Sequence, residues 1–352
     1  MSRSLDIELT RRCNLRCEYC FVGWSRDWTS DMPLAVALEV VREGAGLFPT
    51  LHFTGGEPFA YSSLFEVIEA GLELGYDEIL INTNGTMLTP ETADRLASYG
   101  PRLGISVSLD GPQPTHDAAR GEGRFQTALE GLSALLSRGV RASVITVVTP
   151  AVLADLAQFL RGLSAELPGL AGFTLFPVGV GPVGSQKPGA DLRNLTSDEL
   201  RELALTVALL YRTGISVGIG AYPIVNPLLL AFGYPRSALY QCTAGRGRVC
   251  VHADLTVSPC HTVKEAVYGT YRPGLLRDLR AAATPAGAHE RLASRDFEGC
   301  SACQHNEVCG HCRAYVAASG EPLFGNDGAC QDVIPQSPGR TAVRRRVSLP
   351  VL

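Results

Sequence analysis

The sequence predicts an α/β fold, a partial (β/α)6 barrel of the TIM type joined to a C-terminal cysteine-rich domain. Two observations carry this expectation. Short β-branched runs alternate with helical patterns over the first 220 residues, as parallel βα units require. The 11 cysteines are unevenly placed: Cys13, Cys17 and Cys20 come early, positions 21–241 contain none, and eight fall between Cys242 and Cys330. That gap marks a boundary, giving a barrel over 1–220, a bridging segment over 221–241, a cysteine-rich domain over 242–335 and a basic tail over 336–352.

Strands are expected at 5–10, 50–54, 78–83, 104–109, 141–148 and 172–176, each a short apolar or β-branched run. Helices fill the intervals, and several announce their starts. Ser63 with Glu66 and Thr196 with Glu199 have capping-box spacing, while Thr89-Pro90 and Thr149-Pro150 place a cap before a first-turn proline. The Gly- and Pro-rich stretch 176–189 reads as an active-site loop or a plain connector. The most apolar window, 215–232, is broken by Gly218, Gly220, Pro223, Asn226 and Pro227, so it reads as a strand and connecting loop rather than a membrane span. The arginines at 340, 344, 345 and 346 read as a solvated tail.

The 352 residues carry a net charge of -4 and 7% aromatic content, which offers neither the basic patch nor the stacking platform of a nucleic-acid binder. No basic, then apolar, N-terminal segment is present, so a cytoplasmic protein without membrane association is expected. Thiols stay reduced there and the cysteine count is odd, so metal ligation accounts for the cysteines better than disulfides do.

The first strand leads into Cys13-Asn14-Leu15-Arg16-Cys17-Glu18-Tyr19-Cys20. Three thiolates on one loop can wrap a corner of a cubane cluster and leave one iron open to an outside ligand. A structural zinc is the alternative, but it needs a fourth ligand, and no further His or Cys lies in the loop. After the second strand come Gly55, Gly56 and Glu57, where glycines permit close backbone approach and a carboxylate can accept bonds from an ammonium group. In a barrel the chemistry gathers at the C-terminal ends of the strands. Asn84 follows the third strand, and Ser108, Asp110 and Gly111 lie at or just beyond the end of the fourth.

These residues resemble the radical SAM enzymes, with their CxxxCxxC loop, an aromatic residue before the last cysteine (Tyr19) and a Gly-Gly-Glu motif; the resemblance covers roughly residues 4–220. It implies a 4Fe-4S cluster on Cys13, Cys17 and Cys20 whose open iron is chelated by S-adenosylmethionine. It also implies reductive cleavage to a 5'-deoxyadenosyl radical that takes a hydrogen atom from substrate, with a flavodoxin or ferredoxin as reductant. Carried over by position, Gly55, Gly56 and Glu57 hold the methionine amino group, Ser108 with Asn84 or Asp110 meets the ribose, and Arg120 is a candidate for the methionine carboxylate. Asp110 can equally be a turn former before Gly111, and Arg120 a local ion-pair residue.

The C-terminal cysteines, Cys242, Cys260, Cys300, Cys303, Cys309, Cys312 and Cys330, resemble the SPASM extension of that superfamily, which binds two auxiliary 4Fe-4S clusters. By that resemblance Cys242, Cys260 and Cys312 serve the nearer cluster and Cys300, Cys303, Cys309 and Cys330 the outer one. Two residues separate Cys309 from Cys312 where three are more usual, which weakens their division between clusters. Cys250 lies outside the pattern, as a fourth ligand of the nearer cluster or a buried strand residue; counting one thiolate per iron, with S-adenosylmethionine on the last, favours the ligand. His261 stands where the sulfatase-maturing branch has an aspartate, which counts against that activity, and no role is assigned to His261, His305 or His311.

The resemblance points to oxidation or crosslinking of a ribosomally made peptide. The first strand begins at about residue 5, so a separate leader-binding protein or a short recognition segment is expected. A small-molecule substrate, an aminocyclitol or a tetrapyrrole side chain, is the second reading. A non-enzymatic electron carrier is the third, and it leaves Gly-Gly-Glu and the open iron without a purpose.

Overall fold

The computed structural model describes residues 3–20, 28–178, 194–245, 247–263, 266–281, 303–309 and 312. In chain order the elements are β1 (Ser4–Thr10), α1 (Leu34–Gly44), β2 (Thr50–Gly55), α2 (Leu64–Glu73), β3 (Glu78–Thr83), α3 (Pro90–Ser98), β4 (Leu103–Ser108), α4 (Gln113–Arg120), α5 (Arg124–Leu136), β5 (Arg141–Val148), α6 (Pro150–Glu166) and β6 (Phe173–Pro177). They continue with α7 (Ser197–Arg212), β7 (Val217–Ile219), α8 (Asn226–Ala231), β8 (Arg248–Val251), β9 (Thr256–Ser258), β10 (Gly269–Thr270) and α9 (Leu275–Arg280). The six expected strands are present to within about one residue at each end, which is the ordinary precision of such boundaries. The apolar window 215–232 contains β7 and the short helix α8, and no helix among the described residues is long and apolar enough to cross a membrane.

Strands β1 to β7 pair in sequence order, all parallel, and the sheet continues past β1 to β8, β9 and β10. The pairing of β8 with β1 is also parallel, with Asp6 opposite Cys250 and Ile7 opposite Val251. The cysteine-rich region therefore shares one sheet with the barrel. It also shares its core, since Val249, Val251, Val257, Leu276 and Val308 pack in the same apolar cluster as Leu5 and Phe53.

The two faces of the sheet differ because side chains alternate along a strand. Leu5, Leu51 and Ile79 point outward beneath the helices, where Gly44 of α1 and Gly71 of α2 let the helices approach closely. Fully burying a residue such as Phe53 in this layer is worth about 1.5–3 kcal/mol. The inner face is polar and half-open: Asn82, Ser106, Ser108, Ser143 and Thr174 are half-buried there beside Leu80, Ile145, Val147 and Phe176.

The helix starts followed the sequence signals with one exception. Thr89 and Thr149 accept from the backbone N–H groups of Thr92 and Val152, and Thr196 with Glu199 makes a full capping box. Ser63 makes no side-chain cap bond. Its ψ of 24° is not the extended conformation that turns an N-cap oxygen toward the first helical turn, so the Ser63–Glu66 spacing does not produce a box.

Candidate active site

The site begins where β1 ends. The loop after Thr10 is held against the β2 end by two backbone bonds, Gly56 N–H to the Thr10 carbonyl and Glu57 N–H to the Arg12 carbonyl, both 2.8 Å. A Cβ at Gly55 would lie 2.5 Å from the Thr10 carbonyl oxygen and one at Gly56 only 2.2 Å from that of Arg12. Gly55 also has φ +122°, a backbone region that L side chains rarely adopt. The two glycines are therefore required for strand-to-loop contact, a role distinct from the ligand approach expected of them.

Glu57 is buried, and its carboxylate accepts from Phe59 N–H (3.2 Å), Thr83 Oγ1 (2.7 Å) and Asn84 N–H (2.8 Å). Burial outweighs these bonds and lifts the carboxyl above its ordinary pKa. Glu57 thus ties the β2 end to the β3 end. Asn84 donates from Nδ2 to Asn14 (2.9 Å) and, at 3.8 Å, toward Cys13 Sγ, while its Oδ1 accepts from Thr86. Ser108 is half-buried at the end of β4 on the inner face.

Cys13, Cys17 and Cys20 are partly exposed on this loop. Hydrogen-bond donors are directed at two of their sulfurs: Leu15 N–H lies 3.3 Å from Cys13 Sγ and Arg120 Nη1 lies 3.9 Å from Cys17 Sγ. Burial pushes the Cys17 thiol up to about 12, with the Arg120 guanidinium pulling the other way, and burial also raises Cys13. Such thiols ionise at neutral pH only when a metal displaces their protons. Among the described residues no three His, Cys, Asp or Glu side chains converge as they would around a single metal ion. A cubane takes one thiolate per iron, so its sulfurs stand further apart than the ligands of one zinc. The loop presents three thiols with N–H donors on two of them, a donor set that fits three corners of a cubane.

Asp110 and Arg120 are each other's partners. They form a buried ion pair, and Tyr19 donates its hydroxyl to the same Asp110 oxygen that the pair uses. The other Asp110 oxygen accepts from Val147 N–H at 2.7 Å, and Asp110 N–H donates to Nδ1 of buried His116 at 3.0 Å. This cluster locks the cysteine loop to the C-terminal end of α4 and to β5; it is the local ion pair that sequence left open for Arg120. Arg16 strengthens the loop by donating to the carbonyls of Cys13 (2.7 Å) and Leu15 (2.8 Å) while its guanidinium lies over the Trp28 ring. Sequence reasoning missed Asn14 and Thr86 as supports because they meet across 72 positions, and His116 because its ring nitrogen meets a backbone N–H, which residue spacing does not announce.

In the second region, Cys260 and Cys312 pack against Val263 and Ala266. Tyr240 is half-buried where Cys242, Cys260 and Cys312 all bear on its ionisation, with desolvation as the main cause that raises its pKa. Cys303 and Cys309 are on the segment 303–309, whose Val308 carbonyl accepts from Asn226 Nδ2 at 2.8 Å; the Tyr240 carbonyl accepts from the same nitrogen. Cys250 lies in mid-β8, wholly buried, and burial holds its thiol well above the ordinary value with the nearby Asp6 and Glu8 charges adding to the effect. Cys300, Cys330 and His311 lie outside the described residues, as do most of the 176–189 loop and the basic tail.

Residues 7–161 match the radical SAM superfamily. The chain carries a radical SAM domain over those residues. It is 27% identical over 346 residues to pre-heme d1 synthase of Dinoroseobacter shibae, spanning 92% of this chain and 84% of that one. It is 26% identical, also over 346 residues, to the mycofactocin maturase of Mycolicibacterium smegmatis, spanning 93% and 82%. Among solved structures it resembles Streptococcus suis SuiB bound to the precursor peptide SuiA, with TM-score 0.72 and 17% identity over 94% of this chain and 76% of that one. It also resembles anSMEcpe bound to AdoMet and a Cp18Cys peptide, with TM-score 0.70 and 18% identity over 94% and 95%. These likenesses establish the fold. A radical SAM domain implies a 4Fe-4S cluster and S-adenosylmethionine, and the three thiols of the Cys13–Cys20 loop are residues that could hold the cluster.

Proposed function

We propose that the protein cleaves S-adenosylmethionine reductively at the Cys13, Cys17 and Cys20 site and uses the resulting radical to oxidise or crosslink a ribosomally synthesised peptide, with Cys242, Cys260 and Cys312 among the ligands of an auxiliary cluster. The carrying observation is the partly exposed three-cysteine loop at the C-terminal end of β1, facing a polar, half-open inner sheet surface. When bound, the cluster and S-adenosylmethionine supply a 5'-deoxyadenosyl radical that abstracts hydrogen. This chain's residues orient that chemistry: Asn84 and Arg120 direct donors at the cysteine sulfurs, and the Asp110–Arg120–Tyr19 group fixes the loop. Ser108, Ser143 and Thr174 offer hydroxyls to an extended backbone laid along the inner face. The peptide reading draws support from the likeness to a maturase over 93% of the chain.

A tetrapyrrole side chain is the second reading, favoured by the likeness to a haem-pathway synthase over 92% of the chain. Anaerobically reconstituted, dithionite-reduced protein is expected to form 5'-deoxyadenosine from S-adenosylmethionine; no excess over a Cys13, Cys17, Cys20 triple-alanine variant overturns the enzyme reading. Adding a candidate precursor peptide encoded beside the gene, or an iron porphyrin carrying propionates, then separates the two substrates by the mass change of each.

A further inference from the structure

Two buried carboxylates on β1, Asp6 and Glu8, have no part in the chemistry above. Both face away from the helices, toward the segment that carries Cys260. Glu8 begins a continuous buried chain. Its Oε1 accepts from Arg11 Nε at 2.7 Å and its Oε2 lies 3.1 Å from His252 Nδ1. His252 Nε2 then lies 2.8 Å from Ser258 Oγ, which donates to the Cys260 carbonyl at 2.9 Å. Arg11 also donates to Asp254 at 2.7 Å.

Asp6 makes a second rung one layer below. Its Oδ2 lies 3.4 Å from Arg248 Nε and 3.6 Å from His261 Nδ1, and its Oδ1 lies 3.5 Å from His52 Nδ1. The residue two before Cys260 and the residue after it are thus each tied to an acid on β1. The same strand runs directly into the Cys13 loop.

Pairing β8 with β1 does not demand this arrangement. On the outer face β1 and β8 meet through Leu5, Ile7, Val249 and Val251, and buried ion pairs are commonly replaceable by apolar residues at no loss of stability. The Glu8 chain ends on one backbone carbonyl and does what apolar packing cannot, because hydrogen bonds fix direction as well as contact; the Asp6 contacts, at 3.4–3.6 Å, act by charge.

We propose that Asp6 and Glu8 are positioning residues that hold Cys260 at a set distance and orientation from the Cys13–Cys20 loop, with β1 as the ruler between the two sites. This rests on Cys260 being an auxiliary-cluster ligand. The test uses the full chain, reconstituted anaerobically, and reads iron per chain and the EPR spectrum of the reduced protein with and without S-adenosylmethionine. The signal that responds to S-adenosylmethionine reports the Cys13 site, and the unresponsive signal reports the auxiliary site.

In Ser258→Ala and Glu8→Gln the responsive signal and 5'-deoxyadenosine formation are expected to persist. The unresponsive signal is expected to shift in its g values or to weaken as iron retention at that site falls about 10-fold or more. Ser258→Thr, which restores the hydroxyl, should restore the spectrum. Unchanged spectra in both variants overturn the positioning role, as does equal loss of both signals in Ser258→Ala. Wild-type protein lacking any unresponsive signal overturns the auxiliary-ligand reading itself, whatever the variants do.

Discussion

The two cysteine regions are built in opposite ways. The first is a single loop on the end of a parallel strand, held by backbone bonds to Gly56 and Glu57 and by the Asp110–Arg120 pair. In the second, described cysteines come from three stretches of the chain, around Cys242, Cys250 to Cys260 and Cys303 to Cys312, joined by side chains such as Asn226 and Ser258 that reach main-chain carbonyls. A loop whose ligands are neighbours in sequence needs only local conformation to assemble. A site gathered from distant segments depends on the sheet having formed first, so its supports are tertiary and its failure modes differ.

The largest effect should come from Gly56→Ala, which sets a methyl 2.2 Å from the Arg12 carbonyl oxygen and must displace the first loop. Iron analysis is expected to show loss of about four irons per chain, one cubane, with S-adenosylmethionine cleavage abolished and the second region's iron retained. Equal loss from both regions would break the contrast. Asn226→Ala attacks the other region: it leaves the Tyr240 and Val308 carbonyls without this donor, at about 1–3 kcal/mol each. Chemical unfolding of the apo-protein should register that cost, and iron should be lost from the C-terminal region while S-adenosylmethionine cleavage continues.

A pH dependence sharpens the account of the first region. Burial lowers the His116 pKa from 6.5 to about 4, so the ring is neutral beneath Asp110 and against Phe125. Because its folded value lies below its unfolded one, its stabilisation is complete above about pH 6.5 and is lost as pH falls through 4, about 3 kcal/mol in all. Urea midpoints measured across that range should fall with acid in the wild type and flatten in His116→Asn, which can still accept from Asp110 N–H. The smallest effect is expected for Thr149→Ala, which removes the cap of α6, remote from both regions in sequence, at about 1 kcal/mol. It should change thermal stability with no change in iron content.

Much of the barrel was legible because its signals are local. Strand runs, Thr-Pro caps and the spacing of Cys13, Cys17 and Cys20 all operate within a few residues, and the structure keeps them. The capping box at Ser63 failed for the same reason in reverse, since spacing alone does not set the backbone angle that a cap needs. The roles of Gly55 and Gly56 were half legible: their need for a bare Cα was clear, but the object pressed against them is the cysteine loop's own backbone.

By itself, the sequence determined the α/β class, the order and extent of six strands, and the three-cysteine loop, because each depends on periodicity or spacing among neighbours. Only the tertiary structure decided that β8 extends the sheet beside β1, that Arg120 is paired with Asp110, and that Asp6 and Glu8 reach the flanks of Cys260. Those contacts join residues up to 255 positions apart. No local pattern encodes such a pairing; it follows from which buried charges meet once the sheet has formed, and a buried charge is stable only where its partner arrives.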